Sequence, residues 1–153
     1  MRRTLTKAGT LAVASLFALG LAQPAMAAQN STDSAPAAAT SSAFFEFTDG
    51  TDTFVFKLTD AAKIQTARNM LNGTDTTHRG VMGTVVKTPA WYNSPWKYQL
   101  SPSSVSFFEM ATEVCDASIS YVNDHLTEVG GALLPKNTWC PWGSQLTREI
   151  KNP

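Results

Sequence analysis

The sequence has few of the side chains that usually carry enzyme chemistry. It contains two histidines, His78 and His125, and two cysteines in 153 residues. Neither Cys115 nor Cys140 has a second cysteine or a histidine at the short spacing of zinc ligands, which argues against a metal centre. No serine stands in a Gly-x-Ser-x-Gly turn, and no glycine-rich phosphate or dinucleotide motif is present. We therefore expect no catalytic residues, no metal and no cofactor.

The sequence also lacks an apolar run long enough to span a membrane. Residues 8–21 form an uncharged run of 14 residues, whereas a spanning helix needs about 20. Three basic residues precede this run within residues 1–7, and the small residues Ala25 and Ala27 follow it, which predicts a signal peptide over 1–27. An amphipathic N-terminal helix is the alternative, but the run is apolar on every face. The paired arginines leave twin-arginine export open beside general secretion, which we favour.

An excess of positive charge is absent as well. The chain has 12 basic and 12 acidic residues, and residues 1–27 hold three of the basic ones and none of the acidic ones. The exported chain would therefore carry 9 basic against 12 acidic residues, a net charge of −3. Nucleic acids and anionic membranes attract proteins of the opposite charge, so neither is an expected partner.

After the predicted signal peptide, the chain is expected to contain one small domain. Residues 28–42 contain no large apolar side chain and are predicted to be a disordered linker, because they cannot offset their ordering entropy by burial. Residues 43–153 are predicted to form a single domain, which at this size buries enough surface for one core. In an oxidising compartment Cys115 and Cys140 are expected to form a disulfide, with two free buried thiols as the alternative.

Periodicity predicts an α+β domain with two helices among five or six mostly antiparallel strands and one disulfide. Residues 43–47 and 53–58 alternate as a β-hairpin around the turn residues 48–52, for which a calcium loop is the weaker interpretation. A helix over 61–71 should be capped by Thr59 or Asp60 and end before Gly73. Strands are predicted at 81–87, 96–100 and 145–150.

The segment from residue 104 to residue 131 is less regular. Residues 104–115 fit a strand or a helix, and we favour a strand to about Val114 because its β-branched and aromatic residues suit a pleated surface. A second helix is predicted from an Asp116 N-cap through Val129, ending at Gly130 and Gly131.

Aromatic residues are the most informative functional signal. Trp91, Tyr92 and Trp96 lie in a connection that contains Pro89 and Pro95. Aromatic side chains in stiff loops supply contact area for proteins or sugars, although packing on the core is the more common role. We expect Trp91 and Tyr92 to be the exceptions to packing. The leading hypothesis is a non-enzymatic binding module with a protein or glycan ligand on Trp91, Tyr92 and Trp96.

Two alternatives use other features of the chain. A stiff loop near a disulfide also suits a secreted protease inhibitor. A small hydrolase could use the carboxylates of Glu113 and Asp116, with His125 as a further proton carrier, although a solvated acidic surface is the simpler interpretation.

Several strings in order resemble one family over about residues 44–150. The strings are Phe54 to Asp60, Met82 to Lys87, Tyr92-Asn93 with Trp96, Glu113 to Asp116, and Trp139 to Trp142. They are similar to the small secreted bacterial proteins of the calmodulin-binding-protein N-terminal domain family. The resemblance implies an extracytoplasmic α+β module and supplies no catalytic residues.

Calmodulin binding, which the family name suggests, would require a particular kind of helix in the sequence. Calmodulin targets are basic amphipathic helices. The first predicted helix has only Lys63 and Arg68, and the second carries Asp124 and Glu128 with no basic residue. Calmodulin is therefore not an expected partner of this exported chain.

Overall fold

The computed structural model describes residues 42–111, 113–151 and 153. The predicted signal peptide and residues 28–41 of the predicted linker lie outside this part, so both stay predictions. The described elements, in chain order, are β1 (Ala43–Thr48), β2 (Thr53–Leu58), α1 (Ala61–Leu71), β3 (Gly80–Val86), β4 (Gln99–Leu100), β5 (Ser106–Phe108), a 3-10 helix (Glu113–Cys115), α2 (Ile119–Asp124), β6 (Val129–Gly130), β7 (Leu133–Pro135), β8 (Thr138–Trp139) and β9 (Gln145–Ile150).

The strands form three small sheets. One has the order β2-β1-β9, with β1 antiparallel to both neighbours. In the second, β3 pairs antiparallel with β4, β5 and β8 along different parts of its length. The third is the short parallel pair β6–β7. The predicted α+β class with mostly antiparallel strands, two helices and one disulfide is confirmed at this level, although the described strands are more numerous and shorter than expected.

The two local predictions near the start of the domain are confirmed. β1 and β2 pair in register from Ala43 opposite Leu58 to Thr48 opposite Thr53. The Asp49 carboxylate closes the turn between them by accepting hydrogen bonds from the backbone N–H groups of Thr51 and Asp52 at 3.0 and 2.9 Å. This contact supports the turn interpretation over a calcium loop.

Helix α1 spans the predicted residues. The Asp60 side chain accepts a hydrogen bond from the N–H of Lys63, and Gly73 follows the helix with a left-handed φ of 77°. Gly73 is therefore suited to the position because it has no Cβ to strain that conformation.

The strand prediction for residues 104–115 is wrong beyond Phe108. β5 ends there because β3, its partner, begins at Gly80, and Gly80 lies opposite Phe108. The chain then bends, and residues 113–115 form a 3-10 helix. The predicted strand over 96–100 is likewise reduced to β4. Residues 91–95 form turns, and the Trp96 indole donates a hydrogen bond to the carbonyl of Thr53 on β2.

The second helix is shorter than predicted and starts later. Ser118, not Asp116, caps it, by accepting a hydrogen bond from the N–H of Tyr121. The Asp116 carboxylate instead accepts a hydrogen bond from the N–H of Trp142 at 2.9 Å. Val129, which the pattern assigned to the helix, lies buried in β6. The helical spacing of Ile119, Val122 and Val129 therefore arises because all three are buried in the core, not because they belong to one helix.

The core is built on aromatic side chains. Trp139 is fully buried and lies 5.7, 5.2 and 5.4 Å, between ring centroids, from Phe47, Phe54 and Tyr98. Its indole N–H donates to the carbonyl of Ala117 at 2.8 Å, and the Tyr98 hydroxyl donates to the carbonyl of Ile119 at 3.0 Å. These contacts join both larger sheets to the start of α2.

The predicted Cys115–Cys140 disulfide is present, with 5.1 Å between the two Cα atoms. The N–H of Cys140 also donates to the carbonyl of Cys115 at 2.7 Å. The bridge therefore ties the 3-10 helix to the chain that follows β8, next to the buried Trp139. No helix among the described residues is long and apolar enough to cross a membrane.

Candidate functional site

The connection between β3 and β4 is the segment that carries the predicted binding residues. Asn93, which is 1 % exposed, is its main anchor. The Asn93 side-chain oxygen accepts a hydrogen bond from the N–H of Val55 at 2.7 Å, and its amide donates to the carbonyl of Tyr98 at 3.2 Å. The connection is thereby fixed to the outer edge of β2, a strand whose other edge pairs with β1.

Two successive turns shape this connection. The N–H of Asn93 donates to the carbonyl of Ala90, and the N–H of Trp96 donates to the carbonyl of Asn93, each at 3.0 Å. The backbone around Trp91 is therefore folded back on itself rather than extended.

Trp91 is 73 % exposed, whereas Asn93, two residues later, is almost fully buried. The Trp91 ring meets Phe44 at 5.7 Å and Tyr92 at 5.6 Å between centroids, both edge to face. Phe44 and Tyr92 contact each other at 5.0 Å. We call Phe44, Trp91 and Tyr92 the aromatic platform.

Tyr92 supports the platform and is less exposed than expected. Its hydroxyl donates to the side-chain oxygen of Gln99 at 3.1 Å, and burial raises the pKa of the Tyr92 hydroxyl above its ordinary value. At neutral pH this side chain is therefore a neutral group that holds one side of the platform in place.

Trp96 has a different position from the other two predicted binding residues. Its indole N–H donates to the carbonyl of Thr53 at 2.7 Å, and its ring packs against the core. Trp96 is therefore a second anchor of the connection on β2. The structure brings Trp91 and Tyr92 together and places Trp96 beside β2.

Phe44 is the platform residue that sequence reasoning missed. Phe45 and Phe47 are fully buried, and Phe44 lies between Ala43 and Phe45 on the opposite face of β1. The signal was available, because alternation predicts that an aromatic residue one position out of phase with the buried set faces outward. Lys57, directly opposite Phe44 in the hairpin, has its ammonium 5.8 Å from the Phe44 ring centroid.

An ion pair lies on the same face of β1. Arg148 donates two hydrogen bonds to the Glu46 carboxylate, at 3.1 and 2.8 Å, and the Thr147 hydroxyl donates a third at 2.8 Å. The Arg148 hydrogen bond holds the pKa of Glu46 below its ordinary value, against the opposing effect of burial. At neutral pH the Glu46 carboxylate is therefore ionised and paired with Arg148.

The residues of the hydrolase alternative are not brought together by any contact that the structure describes. The side chain of Glu113 lies outside the described part. Asp116 accepts from Trp142, just before α2, and His125 caps the opposite end of α2 with its Nδ1 2.9 Å from the carbonyl of Tyr121. Among the described residues, no group of three or more histidine, cysteine or acidic side chains is arranged to hold a metal ion.

A cavity of about 410 Å³ lies beside the disulfide. Its lining is mainly apolar and includes Met82, Met110, Val114 and Pro135, with Lys136 as a charged lining residue. Met110 and Val114 are 86 % and 70 % exposed, so this cavity is a second surface with accessible apolar side chains. The sequence pattern did not predict it, because it depends on the bend that ends β5.

Comparison with known proteins gives one match. No curated protein matches the chain, and no solved structure matches it. A family model described as the BP-74 N-terminal domain matches residues 41–153, which covers all of the described strands and helices. This match is consistent with the calmodulin-binding-protein N-terminal domain resemblance of the sequence. The chain belongs to the BP-74 N-terminal domain family.

Proposed function

We propose that this chain is a non-enzymatic binding module that takes its ligand on the aromatic platform. The observation that carries this proposal is the 73 % exposure of Trp91 on a connection that Asn93 and Trp96 fix to β2. Full burial of a large apolar side chain contributes roughly 2–3 kcal/mol to folding, and Trp91 forgoes most of that contribution. A ligand that covers the ring would recover it.

The anchoring of the connection favours binding for a second reason. A ligand that meets a mobile loop must also order it, at a cost of about 0.5–1.5 kcal/mol for each immobilised side chain. Tyr92 and Phe44 already hold the Trp91 ring from two sides. Tryptophan and tyrosine in such positions often supply most of the free energy of an interface.

The protease-inhibitor alternative receives less support from this geometry. A peptide that lies along a protease cleft as an added strand needs an extended backbone. Residues 91–95 instead form turns, closed by the hydrogen bonds from Asn93 to Ala90 and from Trp96 to Asn93.

Calmodulin is not the ligand that we propose. Both basic residues of α1 are already engaged, since Lys63 donates to the carbonyl of Ser103 and Arg68 forms a two-point ion pair with Glu149. The buried residues Ile64 and Ala67 hold the same helix against the core. Calmodulin would therefore have to displace α1 to reach a basic amphipathic face.

We infer that the module acts outside the cytoplasm. The predicted signal peptide is the main argument, and the Cys115–Cys140 disulfide is compatible with an oxidising compartment.

The proposal is tested by comparing two tryptophan variants in one binding screen. Trp91→Ala removes the centre of the platform, and Trp142→Ala removes an exposed tryptophan, 47 % accessible, that lies outside it. Purified wild-type and variant chains are probed with arrayed polysaccharides and with fractionated secreted proteins. We expect ligands that bind the wild type and the Trp142→Ala chain but not the Trp91→Ala chain. If every ligand is retained by Trp91→Ala, the platform is not the binding surface.

A further inference from the structure

The charge around the platform differs in sign from that of the domain. Residues 43–153 contain 9 basic and 11 acidic residues, so the domain is weakly acidic. Residues 87–97, by contrast, contain two lysines and no acidic residue. Lys57 adds a third ammonium group beside the Phe44 ring. The connection that carries the exposed tryptophan thus has basic side chains and no acidic ones, and a lysine lies beside its Phe44 neighbour.

These three lysines are available to a ligand. The side chains of Lys57, Lys87 and Lys97 have no ion pair or hydrogen bond within the described part of the chain. Two arginines elsewhere on the domain are not available in this way. Arg148 on β9 is paired with Glu46, and Arg68 on α1 is paired with Glu149. The Glu46 and Glu149 carboxylates are therefore neutralised by their own partners, whereas the three lysines have no carboxylate partner among the described residues and can pair with a negatively charged ligand.

We propose that the platform binds an acidic polysaccharide, a chain of pyranose rings that carry uronate carboxylates. This inference rests on the proposed function and names its ligand class. The apolar face of a sugar ring stacks on the exposed Trp91 indole, and the carboxylates of neighbouring sugars pair with Lys57 and Lys87. Charge complementarity then adds attraction at long range, and stacking fixes the position of one ring.

The composition of the surface favours a glycan over a protein. The centre of a protein interface is usually an apolar cluster depleted of lysine. Around Trp91 the exposed side chains of the connection are instead Lys87, Thr88, Ser94 and Lys97, together with two prolines. One exposed aromatic ring surrounded by polar and positive groups matches a ligand that alternates an apolar ring face with carboxylates.

Polygalacturonate is the probe that separates stacking from charge. Its fully methyl-esterified form presents the same sugar rings without the carboxylates. Affinity for both polymers is measured by isothermal titration calorimetry at low and at physiological ionic strength. The chains are wild type, Trp91→Ala, Trp91→Phe, Lys57→Gln and the control Trp142→Ala, which lies outside the platform, with thermal unfolding as the check of folding. Alginate and hyaluronate extend the series to other uronates, and single-stranded DNA is the control polyanion.

The proposal predicts binding to at least one uronate polymer that weakens with salt and is lost on esterification. Trp91→Ala should weaken it by at least about tenfold, as expected for an interface anchor, and Trp91→Phe by less. Lys57→Gln should weaken it by about threefold at low salt and by less at physiological salt, because screening reduces the charge contribution.

Four results would overturn the inference, and they differ in what they imply for the proposed function. Equal affinity for the esterified polymer would show that charge plays no part. Equal affinity for DNA, unaffected by Trp91→Ala, would show only general attraction of polyanions. A Trp91-dependent protein ligand, with no binding to any of the three uronates, would refute the glycan class and leave the proposed function intact. Absence of any Trp91-dependent ligand would refute both.

Discussion

Asn93 reaches across 38 residues of sequence to accept a hydrogen bond from the backbone N–H of Val55 at 2.7 Å. Val55 lies on β2, the outer strand of its sheet, so this contact satisfies a donor that no neighbouring strand reaches. The same side chain donates to the carbonyl of Tyr98. One buried amide thus connects the first hairpin, the platform connection and the aromatic core.

Asn93→Ala should destabilise the domain strongly. It leaves the N–H of Val55 and the carbonyl of Tyr98 without partners, and each unsatisfied buried group costs about 1–3 kcal/mol. Urea unfolding followed by circular dichroism should show a loss of at least about 2 kcal/mol. Ser94→Ala, next to it and exposed, is the control and should change the free energy of unfolding by less than about 0.5 kcal/mol. A neutral Asn93→Ala would mean that the connection is not anchored as described.

Removing the disulfide should also lower stability without changing the fold. The bridge joins cysteines 25 positions apart, and closing a loop of that length is worth about 3.5 kcal/mol in the chain-entropy model. The double variant Cys115→Ala, Cys140→Ala should lose roughly 2–4 kcal/mol in denaturant unfolding. Reduced wild-type protein should lose a similar amount, and a reduced protein as stable as the oxidised one would contradict the prediction.

Glu46 should make the stability of the domain depend on acid. Its pKa is lowered in the folded state, chiefly by the hydrogen bond from Arg148. The stabilising contribution is therefore fully present above the unfolded pKa, near 4.5, and is lost as the pH falls through the lower folded pKa. Unfolding free energies measured between pH 7 and pH 3 should fall less steeply for Glu46→Gln than for wild type. Glu128→Gln, at an exposed carboxylate, is the control and should reproduce the wild-type slope.

Gly80 and Phe108 should be energetically coupled. They lie opposite each other on β3 and β5, and a Cβ added at Gly80 would clash with the Cζ end of the Phe108 ring. Gly80→Ala should destabilise by about 1–3 kcal/mol because the ring must move. In a Phe108→Ala background the same change should cost much less. A double-mutant cycle with no coupling energy would show that the ring does not cover the glycine.

The sequence predicted elements whose signals are local. The hairpin β1–β2 and helix α1 follow from alternation, turn residues and the Asp60 cap, all within a few positions of one another. The end of β5 could not be predicted in this way. It depends on where β3 begins, at Gly80, and that boundary is set by pairing between segments more than twenty residues apart.

The same distinction applies to the candidate site. The prolines indicated that Trp91 would be presented to solvent, and it is. The role of Trp96 depends on the carbonyl of Thr53, 43 residues away, and no pattern around Trp96 contains that information. Phe44 was missed although its phase in β1 marks it as outward-facing, because only aromatic residues in loops were considered as binding residues.

We propose that the Trp91 ring serves a ligand and not the fold. The most direct measurement is the free energy of unfolding of Trp91→Ala, compared with that of Trp139→Ala. Trp91 is 73 % exposed and Trp139 is fully buried. We predict a loss of less than about 1 kcal/mol for Trp91→Ala, against about 3–5 kcal/mol for Trp139→Ala. A loss of about 3 kcal/mol or more at Trp91, on the scale of a core tryptophan, would show that the ring is part of the packed structure and would contradict the account.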